Sequence, residues 1–149
     1  QTGRMDGMQH VTLSPAGSAT PPVEVDLPKG DLTVRTIAMP ADTNPAGDIF
    51  GGWLMSQMDL AAGSVAALTA RGRSATIAVE GMKFHRPVKV GDEVSLYAEI
   101  VHIGRTSMRI HVEAWRRERH RDDSQQVTEA TFTFVALDEN GAARAVLGG

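Results

Sequence analysis

The stretch WLMSQMDLAAGSVAALTA, running from Trp53 to Ala70, decides the fold. Within it Leu54, Met58, Ala61, Ala62, Val65 and Leu68 recur at three- and four-residue spacing, the period of a helix. The remaining helix surface is mostly Ala and Gly instead of charge, which predicts a helix covered on most sides. Gln57, Asp59 and Ser64 interrupt the run and large side chains are few, so it reads as a buried helix and not as a membrane span. Just before it, Gly51-Gly52 lets the backbone approach a neighbour closely. The loop over residues 41–50, with Asp42, Thr43, Asn44, Pro45, Gly47 and Asp48, has the composition of turns and helix starts.

Beyond Arg71-Gly72-Arg73 the hydrophobic period drops to two, predicting strands at 75–84, 93–103, 106–117 and 126–137. Val94, Leu96, Ala98 and Ile100 alternate with polar residues, as do Met108, Ile110, Val112 and Ala114, and the Gly104-Arg105 turn between them marks a hairpin. Upstream, a short strand over 31–39 ends at Pro40, which cannot donate to a ladder. Short junctions between consecutive strands favour antiparallel pairing, with the single long helix covering one sheet face, so the class is α+β.

With 149 residues the chain makes one domain, expected over 31–149. Residues 1–30 mix Gly, Ser, Thr and Pro without sustained periodicity and read as an N-terminal arm, for which packing on a neighbouring subunit is one candidate role. Net charge is −3, so no overall positive field draws the chain to nucleic acid or an anionic membrane, and any phosphate recognition must be local. Cysteine is absent, which removes disulfides, thiolate metal sites and cysteine nucleophiles. No basic segment leads into an apolar run and a small-residue cleavage site, so a cytoplasmic address is expected.

The segment Met39-Pro40-Ala41-Asp42-Thr43-Asn44-Pro45-Ala46-Gly47-Asp48-Ile49-Phe50-Gly51-Gly52-Trp53-Leu54-Met55 closely resembles the loop and helix start of bacterial acyl-CoA thioesterases of the hot-dog superfamily, the YciA-like acyl-CoA hydrolases. The likeness continues through Val79-Glu80-Gly81-Met82, Phe84-His85-Arg86-Pro87-Val88-Lys89-Val90-Gly91-Asp92, Gly104-Arg105-Thr106-Ser107-Met108 and Glu113-Ala114-Trp115, covering about residues 32–138. It implies an antiparallel sheet wrapped around one central helix, dimers that join two sheets, and often a hexamer made as a trimer of dimers. It also implies hydrolysis of acyl-CoA to free CoA and a carboxylic acid in fatty acid metabolism, with no cofactor, since coenzyme A is part of the substrate. The arm and residues 117–125 fall outside the shared motifs.

In that family the acidic or amide residue just before the helix is catalytic, which falls here on Asp48, and Gly51 and Gly52 match the glycine pair. Thioester hydrolysis needs an attacking oxygen and a stabilised oxyanion, and the partnerless first N–H groups of a helix supply the second. Asp48 would deprotonate water or attack the carbonyl itself. An aspartate in such a loop also commonly caps a helix or closes a turn, here around Asn44-Pro45. Asn44 is a candidate for holding Asp48 or substrate or for a simple turn, Glu80 for partial burial near the helix or a structural salt bridge, and Met55, Met58 and Met82 for core or acyl pocket. For the CoA phosphates the candidates are Arg86, Arg105, Thr106 and Ser107, while Arg116, Arg117, Arg119 and Arg121 read as solvated surface. None of the five histidines pairs at a recognised metal spacing, so no metal is expected, and no Gly-x-Ser-x-Gly elbow supports a serine hydrolase. Two rivals remain, a hot-dog dehydratase, weakened by the lack of histidine from Asp31 to Arg73, and a non-catalytic acyl-CoA-binding module, which would keep the fold and lack the acid.

Overall fold

Strand β1 (Asp31–Ile37) leads through a turn of 3-10 helix at Pro40–Asp42 into helix α1 (Gly51–Ala70), followed by β2 (Ser74–Phe84), β3 (Glu93–Ile103), β4 (Ser107–Arg117) and β5 (Ser124–Ala136). These elements come from a computed structural model that describes residues 27–147, so most of the expected arm lies outside the described residues. The strands form one antiparallel sheet in the order β1-β3-β4-β5-β2. Consecutive strands pair from β3 to β5, as their short junctions require, whereas β2 leaves the helix at the far edge.

The sheet curls round α1, which touches all five strands. Leu54, Met58, Ala61, Ala62, Ala66 and Ala70 face Leu96, Ile110, Val112, Phe132 and Phe134. Alanine along the inner stripe lets the helix axis approach the concave sheet, and the large side chains come from the strands. The helix ends at Arg71 in the left-handed conformation (φ 55°), and Arg144 Nη2 donates to the Ala70 carbonyl at 2.6 Å, satisfying one of the last orphan acceptors with a cation.

The expectation of a helix covered on most sides holds only for its inner face. Within the single chain Leu60 is 61% exposed and Leu68 68%, with Ile77 at 62% on the β2 edge beside them. The solvated reading of the arginine run also needs correction at Arg116. Its guanidinium is buried against Asp92 at 3.1 Å and donates to Gln125 at 2.9 Å, tying the turn before β3 to β4. Glu80 lies on the outer sheet face, away from the helix, and pairs with Arg109 at 3.5 Å.

Near its end β2 carries a bulge. Glu80 pairs with Thr131 and Lys83 with Glu129, so β2 spends one residue more than β5 over this span, and Gly81 (φ 73°) accommodates the kink. The extra residue turns Phe84 towards the helix start, where its partner on β5 is the buried Thr128.

Candidate active site

The loop before α1 is closed by its own hydrogen bonds. Asn44 Oδ1 accepts from the backbone N–H groups of Ala46 and Asp48, both at 3.0 Å, and the Asn44 N–H donates to the Asp48 carbonyl at 2.7 Å. The Phe50 N–H donates to the Asp42 carbonyl at 3.0 Å, and Thr43 bridges Ile49. Two donors on one side-chain oxygen hold the Asp48 backbone in register with the helix start, which is a positioning role for Asn44.

Neither bland role falls to the Asp48 side chain. The helix N-cap is Phe50, without a side-chain cap, and the turn is closed by the amide of Asn44. Among the described residues the Asp48 carboxylate has no hydrogen bond or ion pair, and it is exposed three residues before Gly51. The first intrahelical bond runs from Leu54 N–H to the Phe50 carbonyl at 3.2 Å, so the N–H groups of Gly51, Gly52 and Trp53 lie ahead of the ladder without backbone acceptors. A carboxylate and a set of free, dipole-aligned N–H groups thus share one end of α1.

Beside them opens a cleft of about 330 Å³ between the helix start (Phe50, Gly51, Leu54) and the chain leaving β2 (Phe84 to Val88), with Val127 at its floor. A Cβ on Gly51 would lie 3.2 Å from Phe84 Cζ, whereas one on Gly52 would meet nothing within 4 Å. Arg86 lines the same cleft, its Nη1 donating to the Gln126 carbonyl at 2.7 Å.

Arg105, Thr106 and Ser107 lie elsewhere. The Thr106 carbonyl accepts from Ala136 and the Arg105 carbonyl from Val146, each at 2.9 Å, in the same region where Arg144 caps the last turn of α1. Since α1 has 20 residues, that turn sits about 30 Å from Asp48 along the helix. Within one chain the structure therefore groups Asp48, Asn44, Gly51, Gly52 and Arg86, and keeps Arg105, Thr106 and Ser107 at the other end. Of the methionines, Met58 is fully buried, Met82 packs against the core and Met55 is partly exposed, none of them lining the cleft.

A second polar cluster lies on the outer sheet face. His111 Nε2 donates to Glu129 Oε1 at 2.9 Å, and its Nδ1 lies 3.9 Å from Glu113 Oε2. Glu113, 4% exposed, also accepts from the Trp115 indole at 2.9 Å. The hydrogen bond from His111 holds the Glu129 carboxyl below its ordinary value of 4.5. Histidine spacing could not disclose this group, because its carboxylates come from two strands. One ligand atom from each of His111, Glu113 and Glu129 lies within 4.8 Å of the others, so the group could hold a metal ion, and in this structure it is joined as a hydrogen-bonded bridge.

Comparison with known proteins bears on the same frame. Residues 46–122 match the family described as the Thioesterase superfamily. A protein of Escherichia coli strain K12 named acyl-CoA thioester hydrolase YciA is 51% identical over 124 residues, 81% of this chain and 94% of its own length. The solved hexameric thioesterase y2039 of Yersinia pestis superposes with a TM-score of 0.78 at 48% identity, over 83% of this chain and 100% of that one. HI0827, described as a hexameric broad-specificity acyl-coenzyme A thioesterase and solved as an aspartate-to-alanine mutant, gives 0.77 at 46% identity over 80% and 88%. With loop, helix and sheet matched together, this chain belongs to the thioesterase superfamily and has its hot-dog fold.

Proposed function

We propose that this protein hydrolyses acyl-CoA thioesters, with Asp48 as the catalytic carboxylate and the N–H groups of Gly51 and Gly52 as oxyanion donors. The observation that carries the reading is that, among the described residues, the Asp48 carboxylate and the first helix N–H groups stand without partners at one end of α1, beside the cleft that Gly51 lines. The relatives' names as acyl-CoA thioester hydrolases support the substrate class, and the aspartate-to-alanine mutant of HI0827 supports interest in an aspartate. As water attacks the carbonyl carbon, the oxygen takes up charge in front of the N–H groups, and collapse of the intermediate breaks the C–S bond and releases the CoA thiolate. Asp48 either removes the water proton or attacks first, giving an anhydride that water then opens. A single turnover in H₂¹⁸O tests the second route: solvent oxygen found in Asp48 requires an anhydride opened by water at the Asp48 carbonyl, whereas water attacking the acyl carbon labels only the acid product.

We further infer a homo-oligomer in which two sheets meet along β2. An edge of 11 residues open to pairing and carrying exposed Ile77, with exposed Leu60 and Leu68 on the helix, is a surface that a second copy would cover. Antiparallel pairing of two such edges brings the Arg105-Thr106-Ser107 turn of one subunit towards Asp48 of the other, which would join all the proposed phosphate-binding residues, Arg86 included, in one site. The hexameric state described for HI0827 and y2039 fits a trimer of such dimers. The proposed address is the cytoplasm; among the described residues no helix is long and apolar enough to cross a membrane.

Thiol release from a panel of acyl-CoAs tests the function, comparing wild type with Asp48→Ala at equal folded content. The expected result is hydrolysis by wild type and a loss of at least about a hundredfold in the folded variant. Unchanged activity in the variant would remove Asp48 from the mechanism, and binding without hydrolysis by wild type would leave a non-catalytic acyl-CoA-binding module.

A further inference from the structure

We propose that the cleft beside α1 takes the acyl chain of the substrate, and that Phe84 sets the chain length it accepts. That the ligand is an acyl thioester rests on the proposed function, and its placement rests on the geometry of the cleft. Gly51 is both a proposed oxyanion donor and a wall of the cleft, so a carbonyl oxygen seated on its N–H places the carbonyl carbon at the cleft mouth. Of the two substituents on that carbon, the hydrocarbon chain suits the apolar floor made by Leu54, Val88 and Val127, all nearly or fully buried. The sulfur then points outward, towards the rim where Arg86 is anchored.

Phe84 bounds this space. Its ring stands against the face of Gly51 that lacks a side chain, 3.2 Å from where a Cβ would be, and the β2 bulge turns it there. In the single chain it is 50% exposed, so its ring bounds the cleft without being part of the buried core. The cleft volume of about 330 Å³ is finite, which bounds the length of chain it takes.

Non-hydrolysable S-alkyl-CoA thioethers of increasing chain length test the proposal, with affinities measured by calorimetry for wild type, Phe84→Ala and Phe84→Trp, and CoA alone as reference. For wild type, affinity should climb by about fourfold per methylene until the cleft is full, then level off. Phe84→Ala should move that plateau to longer chains and Phe84→Trp to shorter ones, with CoA alone unchanged. Identical plateaus in all three proteins would overturn the proposal. So would a parallel loss for CoA and every thioether, which would put the pantetheine arm in the cleft, and so would affinity independent of chain length. A wild type that hydrolyses nothing yet shows the Phe84-dependent plateau would sink the catalytic reading and sustain this one.

Discussion

At the scale of single residues, Gly51 and Gly52 are adjacent, share a motif and differ in what a methyl group would meet. In Gly51→Ala the new Cβ presses on the Phe84 ring at 3.2 Å, while the added alanine favours the helix by up to about 1 kcal/mol. The expected outcome is unchanged or slightly higher thermal stability with activity down about tenfold, measured as kcat/KM on one acyl-CoA. Gly52→Ala meets nothing in the chain, so any loss of activity there, with folding intact, reports substrate passing close to that carbon. Asn44→Ala removes the acceptor of two backbone N–H groups, and should destabilise by about 1–2 kcal/mol and lower kcat more than KM. Asp48, Asn44 and the glycine pair were legible in the sequence because they lie within nine consecutive residues. Phe84 was not singled out, because its approach to Gly51 depends on a bulge and on a contact across more than thirty positions of chain.

Elements read well where hydrophobic period alone decides them. All five strands and the helix lie within a few residues of the alternation in the sequence, and the differences fall at ends, where Pro40 opens a 3-10 turn and β5 begins two residues early. Cross-strand partners are another matter, since register depends on bulges that no periodicity announces. Glu113 and Glu129 stand directly opposite on β4 and β5, a like-charge pair that destabilises a sheet unless something bridges it, and His111 does so. Because its folded carboxyl titrates below 4.5, Glu129 adds stability that is fully present above that value and is lost as pH falls through the lower folded one. His111→Ala should therefore lower stability near neutrality by about 0.5–1 kcal/mol, given the exposure of Glu129. The gap between variant and wild type should narrow as the medium is acidified below about pH 4.5, in urea titrations run from pH 7 down to 3. A gap that stays constant over that range would show that the bridge does not operate through Glu129.

For the molecule as a whole, the single chain leaves Leu60, Leu68 and Ile77 uncovered; the sequence pattern foretold coverage for the helix that carries the two leucines, and the proposed second copy would supply it. A charge at the edge tests this directly. Ile77→Lys should shift the assembly towards monomer in light scattering and lower activity at least about tenfold at micromolar chain concentration, whereas an active monomer would refute the shared site. The separation of Asp48 from Arg105 by the length of α1 carries a last consequence, which is a matter of subunit genetics. If every site draws its acid from one chain and its cation from the other, two proteins inactivated separately, Asp48→Ala and Arg105→Ala, should rescue each other on mixing and reassembly. A mixed dimer holds one site with both lesions and one with neither, so random pairing restores about a quarter of the sites. Two defective parents would yield a working hybrid.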